Sequence, residues 1–251
     1  MKNNLNKFEL DKYENLAKQK LIDLDEKQIK SEKIPSYLLQ PYFDYENALI
    51  QNKTHNGLIL EIGSGTGNYT DLPIKTEMNL IASDVSPLSL KYLKRRYKDS
   101  KKLKIKIANV EKLPFKDNCF DIVCGVGFLS YGENLKTRNE IYRVLKKNGF
   151  FICVDSLNNN LIYRFNRFFK YIIQSTSLET ILKMPNSKLL KDYDEKFSKV
   201  EIKYYGSLMW LMPLFSLICG EKKATKILSY FDKLINVKNS AFKFLLITKK
   251  K

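Results

Sequence analysis

The sequence predicts an α/β fold in which a seven-stranded, mainly parallel sheet is flanked by helices. Short apolar runs alternate with longer helix-like stretches along the 251 residues, and this alternation is typical of helices that connect parallel strands. A chain of this length can bury one good core with an appended cap. The runs expected to form strands are 58–60, 80–82, 103–107, 120–124, 150–154, 200–205 and 242–248.

Glycine recurs at every second position directly after the first predicted strand. Gly63, Gly65 and Gly67 follow the acidic residue Glu61. Glycine lets the backbone turn sharply and approach a ligand where a Cβ would clash. A nicotinamide-type fingerprint needs glycine at its first, third and sixth positions, and Asn68 occupies the sixth position here. The turn therefore predicts a ligand-binding loop whose spacing differs from that fingerprint.

An acid, Asp84, follows the second predicted strand. In Rossmann-like folds an acid about 20 residues beyond the glycine loop meets the ribose hydroxyls. Asp84 is therefore the best single candidate for a cofactor-binding residue. The alternative is a solvated acid that caps the helix predicted to start near Ser86-Pro87, and the two roles are compatible.

Three later segments extend the pattern. Segment 108–115 follows the third predicted strand, and 125–131 continues the fourth. Segment 143–149 closes a helix and enters the fifth strand. Together with the glycine loop they resemble the motifs of class I methyltransferases, which use S-adenosylmethionine (SAM). Segment 108–115 resembles Asp-Ala-Glu-x-Leu-Pro-Phe, with Asn109 for the acid and Val110 for the alanine. Segment 143–149 resembles Arg-Val-Leu-Lys-Pro-Gly-Gly.

The resemblance covers residues 57–156 and implies a Rossmann-like core that binds SAM, yields S-adenosyl-L-homocysteine and needs no metal. The residues that it places at the cofactor are Glu61, Gly63, Ser64, Gly65, Gly67, Asp84, Val85, Asn109, Val110 and Gly125. Asn109 can accept a hydrogen bond from the adenine amine through its side-chain carbonyl. Adenine binding is therefore expected to survive this departure from the family pattern. In the family, the segment after the fourth strand passes under the methyl donor and faces the acceptor.

Helical segments are expected on either side of this core. Residues 1–56 are predicted to form a helical N-terminal extension, and 57–156 the SAM-binding core. Residues 157–251 are assigned to the same domain, with the last two strands and helical cap inserts at about 157–196 and 206–238. In the first insert, apolar residues recur at helical spacing with basic residues between them.

The second insert contains an apolar run of about eleven residues, 208–218. It is too short to span a bilayer. A buried cap helix is the first interpretation. Shallow contact with a membrane or a lipid-linked substrate is the alternative.

The formal net charge of +17 indicates either a generic solvated surface or a polyanionic partner. No RNA-binding module is visible, so nucleic acid ranks below a small anionic or nucleotide-linked substrate. No apolar run reaches 18 residues and no secretory signal is seen. The four cysteines lack metal-ligand spacing, which suggests reduced thiols, a cytoplasmic location and no metal site. Peripheral membrane contact and the oligomeric state are left open.

The C-terminal third carries a second resemblance. Segments 155–168, 177–180, 183–185 and 241–244 resemble bacterial methyltransferases from gene clusters for capsule or other surface polysaccharides, including those linked to O-methyl phosphoramidate decoration. This implies O-methyl transfer to a phosphorylated, phosphoramidate or nucleotide-linked glycan precursor. A sugar hydroxyl and a lipid-like or quinone-like acceptor are the alternatives. A binding protein without catalysis ranks last, because the glycine loop and Asp84 are intact.

A general base is hard to find in this sequence. A sugar hydroxyl usually needs one, commonly histidine, and the single histidine, His55, precedes the first strand and is expected to be structural. Tyr131 stands where relatives often carry histidine, and it could position an acceptor or relay a proton, although a phenol is a poor base at neutral pH. Asp155 and Glu133 are further pocket candidates. Tyr131 and Asp155 are the residues predicted to be catalytic.

An anionic acceptor would need no base, but it would need cations. Arg164 and Arg167 are spaced i and i+3, so they are predicted to share a helix face over the pocket and to clamp the anion. A solvated helix face is the alternative. The predicted substrate-binding residues are Tyr37, Tyr131, Arg164 and Arg167.

Overall fold

A single seven-stranded sheet organises the computed structural model, which describes residues 7–23, 39–173, 176–235 and 237–251. Its strands are β1 (Leu58–Ile62), β2 (Asn79–Asp84), β3 (Leu103–Ile107), β4 (Phe120–Val126), β5 (Leu145–Ser156), β6 (Lys199–Tyr205) and β7 (Lys243–Lys249). They lie in the order β3-β2-β1-β4-β5-β7-β6. Only β7 runs antiparallel to its neighbours among these strands. The predicted α/β fold with a mainly parallel sheet is confirmed.

Two of the described helices precede β1, and the others occupy connections between strands, with none between β3 and β4. The helices are α1 (Lys7–Asp23), α2 (Gln40–Gln51), α3 (Asp71–Ile74), α4 (Pro87–Arg96), α5 (Asn134–Val144), α6 (Leu161–Ile172), α7 (Leu178–Lys183), α8 (Ser187–Lys196), α9 (Met212–Cys219) and α10 (Glu221–Leu234). Helices α6 to α8 precede β6, and α9 and α10 follow it. The helical segments therefore lie on either side of the sixth strand, as the sequence predicts.

The central strands of the sheet are apolar on both faces, as expected for parallel strands covered by helices. Successive residues of β4 point to opposite sides, so Val123 joins one core cluster while Ile122 joins the other. Helix α8 contributes Tyr193 to the first cluster, and α2 contributes Tyr45 to the second. Burial on both faces explains why these strands appear in the sequence as nearly continuous apolar runs.

Strand β5 is longer than predicted and begins at Leu145, directly after α5. Leu145 pairs with Phe120 before the register between the two strands shifts. Asn148 adopts a positive φ of 63° at a position where the family pattern has glycine. Asparagine tolerates this left-handed conformation better than most residues, so the tight turn before Gly149 survives the change.

The apolar run 208–218 does not form a buried helix, and this prediction is wrong. It forms a short 3₁₀ turn followed by most of α9, and Leu217 and Ile218 of that helix are 85% and 73% exposed. Helix α9 packs on α10 through Met212, Ala224 and Leu228, which covers only one side of it. No helix in the described part of the chain is long and apolar enough to cross a membrane.

Candidate active site

The carboxyl ends of the parallel strands bring the predicted cofactor residues to one edge of the sheet. Strand order reverses between β1 and β4, and ligands of open α/β sheets bind beside such a switch point. Glu61 lies in β1, Asp84 ends β2, and Gly125 lies in β4. Asn109 follows β3 by two residues. The topology therefore gathers residues that are more than 60 positions apart in the sequence.

The three glycines of the loop after β1 adopt conformations that other residues rarely take. The φ angles of Gly63, Gly65 and Gly67 are 65°, 51° and 80°. A Cβ on Gly63 would lie 2.7 Å from the Cβ of Phe128, whereas one on Gly65 would meet no atom within 4 Å. The chain thus needs glycine for its turn at all three positions, and the open space beside Gly65 leaves room for a ligand.

Asp84 fastens this loop to the start of α4. Its Oδ2 accepts a hydrogen bond from the Gly65 N–H at 2.9 Å, and its Oδ1 accepts one from the Ser86 N–H at 2.9 Å. Burial raises the pKa of the Asp84 carboxyl, against the effect of these backbone donors. A carboxylate has about four lone-pair sites. Asp84 can therefore hold the loop and still accept hydrogen bonds from ligand hydroxyls.

Glu61 and Ser64 are both buried and engaged within the protein. The Thr70 hydroxyl donates to Oε2 of Glu61 at 2.8 Å, and burial raises the pKa of Glu61 to about 8 despite that bond. The Ser64 hydroxyl donates to the backbone oxygen of Ser83 at 3.2 Å. These contacts fix the loop against β2, so both residues shape the site whether or not they touch a ligand.

The residues predicted to surround adenine are partly exposed along the same edge. Oδ1 of Asn109 accepts from the Glu111 N–H at 2.9 Å, and the same oxygen has a second lone pair for a ligand. Val85 and Val110 are half-buried. A Cβ on Gly125 would lie 2.6 Å from the Ile62 oxygen, so glycine is needed there for the close approach of β4 to β1.

A cavity of about 1140 Å³ adjoins this edge and receives residues from β5, α6, α7 and the 209–216 segment. Its polar end contains Tyr131, Asp155 and Arg167. Its apolar wall comprises Phe169, Ile173, Ile181, Met184, Met209, Trp210, Met212, Pro213 and Phe242. The cavity reaches the cofactor edge through Gly127 and Ser130, which follow β4.

Asp155 and Tyr131, the predicted catalytic pair, both line the polar end of the cavity. Asp155 is 3% exposed and accepts from the Leu129 N–H at 2.9 Å and the Ser156 N–H at 2.7 Å. Burial raises the pKa of Asp155, while nearby Lys243 and Arg167 oppose the shift. Burial also raises the pKa of Tyr131, so its phenol is protonated at neutral pH.

Arg167 points inward from α6. Its Nη1 donates to the Leu157 oxygen and to Oδ1 of Asn158, each at 2.8 Å. Its Nη2 is buried and has no hydrogen-bond partner among the described residues. Burial lowers the pKa of Arg167 to about 10, so the side chain is still cationic at neutral pH. The guanidinium lies 5.7 Å from the ring centre of Phe242.

The structure does not bring Arg164 to the same face. Arg164 is exposed and lies outside the cavity wall. The inward side of α6 is narrow and takes Tyr163 and Arg167, which are four residues apart and therefore stack on one side of the helix. The i, i+3 pair predicted from the sequence is thus divided between the cavity and the solvent.

Two further residues considered in the sequence lie away from the cavity. Glu133 is exposed and pairs with Lys136 at 2.6 Å. His55 is exposed ahead of β1. Tyr37 falls outside the described residues. Glu133 and His55 therefore take no part in the described cavity wall.

Two groups at the polar end were missed by the sequence analysis. Lys243 of β7 is close enough to Asp155 to oppose its pKa shift, and its ammonium lies 5.6 Å from the ring centre of Tyr42. Tyr13 of α1 contacts Tyr131. Neither residue belongs to a motif, because β7 reads as an ordinary apolar strand and α1 as a charged helix. Only the fold reveals that they lie beside Asp155 and Tyr131 of the cavity wall.

Comparison with known proteins places this geometry in a family. Residues 60–153 match the family described as a methyltransferase domain. An uncharacterized protein of Methanocaldococcus jannaschii is 31% identical over 196 residues, which cover 76% of each chain. The demethylmenaquinone methyltransferase of Symbiobacterium thermophilum is 33% identical over 132 residues, which cover 49% of this chain and 51% of that protein.

The quinone methyltransferases are matched over about half of their length. A methyltransferase of Haloferax volcanii, solved in complex with the Trm112 methyltransferase activator, has 16% identity and a TM-score of 0.62. That likeness covers 94% of this chain and 96% of the other, and it supports the fold. The family match, the relative from Methanocaldococcus and the similarity to demethylmenaquinone methyltransferase establish that the chain belongs to the class I SAM-dependent methyltransferases.

Proposed function

We propose that this methyltransferase acts on an acceptor that carries an anionic group on an apolar body. The observation that carries the proposal is the side chain of Arg167. One of its terminal nitrogens is buried without a partner among the described residues, and the residue forms part of the cavity wall. A buried charge with an unsatisfied donor costs free energy. An anionic group of the acceptor would supply the missing hydrogen bond.

The charge balance at the polar end of the cavity supports the same acceptor. Arg167 and Lys243 both lie near Asp155, so two cations surround one acid. Burial lowers the pKa of Lys243, which means that its charge is poorly compensated in the free protein. An acceptor with a phosphate-like group would restore neutrality there and would form charge-assisted hydrogen bonds.

The apolar wall favours an acceptor larger and less polar than a free sugar phosphate. Phosphorylated, phosphoramidate or nucleotide-linked precursors of surface polysaccharides, which the sequence resemblance implies, carry the anionic group and remain within the proposal. A precursor attached to a lipid would fill both ends of the cavity. We therefore expect lipid-linked anionic acceptors to be better substrates than short polar ones.

The residues at the edge of the sheet suit SAM as the cofactor. An adenosine has two ribose hydroxyls and an amine. The free lone pairs of Asp84 can accept hydrogen bonds from the hydroxyls, and the second lone pair on Oδ1 of Asn109 can accept one from the amine. The open space beside Gly65 leaves room for the ligand. SAM supplies an electrophilic methyl group on its sulfonium. The protein holds the acceptor in line with that group: Arg167 binds the anion, and Tyr131 donates a hydrogen bond. An anionic acceptor oxygen carries no proton, so no base is needed.

Methyl transfer from labelled SAM tests the proposal on a panel of anionic and neutral acceptors. Arg167→Met should raise the KM of anionic acceptors by at least about tenfold, because hydrogen bonds to charged groups contribute about 1.5–3 kcal/mol. The affinity for SAM, measured by calorimetry, should stay unchanged. Arg164→Met is the matched control on the same helix, and it should alter neither value. An unchanged KM in Arg167→Met, with the fold intact by circular dichroism, contradicts the proposal.

A quinone-like acceptor is the second candidate. It is supported by the similarity to demethylmenaquinone methyltransferases and by the apolar wall of the cavity. Such an acceptor carries no phosphate, so Arg167 would contribute little to its binding. Turnover of a demethylmenaquinone analogue that is insensitive to Arg167→Met would favour this candidate over the anionic one.

A further inference from the structure

Two helices beside the cavity present apolar residues to the solvent. On α6, Leu161, Phe165 and Ile172 recur on the side opposite Arg167, and the first two are 75% and 70% exposed. On α9, Leu217 and Ile218 form a second exposed stripe. Isolated exposed apolar residues are common, but contiguous groups mark an interaction surface. The exposed apolar residues of α6 and α9 therefore indicate an interaction surface.

Basic residues predominate among the charges around these stripes. Helices α6 and α9 contain no acidic residue, and Arg164 is exposed on α6. Helix α10 presents Lys222, Lys223 and Lys226 to the solvent. It also exposes Tyr230 and Leu234 on the same side. The exposed surface is therefore basic and apolar together.

The two acids of α10 do not neutralise this surface. Oδ1 of Asp232 accepts a hydrogen bond from the Leu208 N–H at 2.8 Å, so this carboxylate is turned toward the protein. Glu221 forms part of the cavity wall. Glu221 is also exposed, so three exposed lysines of α10 outnumber one exposed acid.

The acceptor cavity opens between the stripes. Phe169 of α6 and Ile173, which directly follows that helix, line the cavity and are 56% and 57% exposed. Pro213 lines it from α9 and is also exposed. Side chains that belong at once to the cavity wall and to the solvent-exposed surface mark its mouth. The mouth is consequently bordered by the apolar stripes on two sides.

We propose that the exposed sides of α6, α9 and α10 form a docking surface for an anionic phospholipid bilayer. Amphipathic helices with lysine or arginine beside apolar residues lie in the headgroup region of such membranes, and each basic residue near an anionic surface contributes to binding. The surface is complementary to a bilayer in charge as well as in apolarity. In this orientation the cavity mouth faces the lipid, and an amphipathic acceptor enters without crossing water.

A second copy of this chain is a poorer occupant. Each copy has a formal net charge of +17, and two such surfaces with lysines on their borders would repel each other. An anionic bilayer offers the opposite charge over a wide area. The docking surface goes beyond the proposed function and does not depend on which acceptor is methylated.

Co-sedimentation with vesicles tests the proposal. The full chain should bind vesicles of phosphatidylcholine with phosphatidylglycerol more tightly than vesicles of phosphatidylcholine alone, and added salt should weaken the binding. Leu217→Ser with Ile218→Ser should lower the vesicle partition coefficient about tenfold, since apolar contact drives insertion. Leu135→Ser is the matched control, because Leu135 is 55% exposed on α5, a helix that is not part of the proposed docking surface.

A second pair of variants tests the charge. Lys222→Glu with Lys223→Glu should weaken binding to the anionic vesicles about tenfold or more. Lys101→Glu with Lys104→Glu, beside and within β3, makes the same change of charge elsewhere and should have a much smaller effect. If both pairs of variants lose the same amount of vesicle binding, the net charge of the protein alone explains the binding, and the proposed docking surface is overturned. Absence of vesicle binding, or a dimer in sedimentation velocity that Leu217→Ser and Ile218→Ser dissociate, would also overturn it.

Discussion

The hydroxyl of Tyr13 lies 2.7 Å from the hydroxyl of Tyr131, and the two rings meet edge to face with their centres 5.8 Å apart. Tyr13 belongs to α1, whereas Tyr131 follows β4 and lines the acceptor cavity. Lys12, the residue before Tyr13 on α1, lines the same cavity. A helix that precedes every cofactor motif in the sequence is thus part of the site itself.

This contact leads to a prediction for Tyr131. Tyr131→Phe keeps the ring and removes one hydrogen bond, so the free energy of unfolding should fall by only about 0.5–1.5 kcal/mol. Because burial keeps the phenol protonated, we expect kcat to change less than about tenfold and the pH profile of kcat to keep its shape. The measurement is steady-state methyl transfer on the best acceptor of the panel. A general base would reveal itself by a loss of about 10²–10⁴-fold.

Helix α1 is also fastened by a buried carboxylate. Oε1 of Glu9 accepts from the Thr176 hydroxyl at 2.9 Å and from the Ser177 N–H at 3.1 Å, and Glu9 is 3% exposed. Removing these acceptors leaves donors unsatisfied, which costs about 1–3 kcal/mol. Glu9→Ala should therefore speed hydrogen–deuterium exchange of 7–23 while leaving the sheet protected.

Asp11→Asn provides the control for that experiment, because Asp11 is an exposed acid of the same helix. It should leave the exchange of α1 unchanged. If the amides of α1 exchange at the same rate in Glu9→Ala and in Asp11→Asn, the hydrogen bonds of Glu9 do not stabilise the helix. Exchange is read locally, so an effect on α1 is distinguished from global unfolding by the amides of β4 and β5.

These contacts show what a sequence can and cannot predict. The strands were predictable because burial on both faces leaves apolar runs, and the glycine loop was predictable because three positive φ angles need glycine. The exposure of Leu217 was not predictable, because the sequence of an apolar helix does not show whether other elements cover it or leave it exposed to solvent. Arg167 was found by helical spacing, but its separation from Arg164 depended on which side of α6 meets the protein.

Asp84 allows a direct test of the cofactor site. Asp84→Ala should weaken SAM binding by about 1–3 kcal/mol, since it removes an acceptor for ligand hydroxyls and the bond that holds the Gly65 N–H. Asp84→Asn retains one oxygen acceptor, so its loss should be smaller. Calorimetry at neutral pH measures both. Asp71→Asn is the control, because Asp71 is an exposed acid in α3, and an equal effect of all three variants would remove Asp84 from the site.

Glu61 gives a prediction about pH and stability. Burial raises its pKa from 4.5 to about 8 in the folded protein. Between these values the unfolded chain has lost the proton and the folded chain keeps it, so unfolding releases a proton and stability falls as pH rises. Below pH 4.5 both states are protonated and the full contribution is present; above about 8 the loss is complete. The ligand-free protein should therefore lose stability from pH 5 to pH 9.

Glu61→Gln removes the titrating proton and should flatten this dependence. The free energy of unfolding of the variant, relative to that of the wild type, should rise by roughly 2–5 kcal/mol between pH 5 and pH 9, because one pKa unit corresponds to about 1.36 kcal/mol. Urea denaturation at several pH values measures the difference. An amide beside Thr70 can change the free energy of unfolding by an amount that is the same at every pH. The change of the difference with pH therefore reports the ionisation of Glu61 alone.

Glu140→Gln is the matched control because its carboxyl is shifted in the opposite direction. The Arg143 side chain lowers the pKa of Glu140, so its stabilising contribution is present above the unfolded pKa and is lost only as pH falls below that range. Between pH 5 and pH 9 the difference between this variant and the wild type should stay nearly constant. A constant difference for Glu61→Gln as well would contradict the raised pKa, because it would mean that Glu61 is already ionised in the folded protein at pH 5.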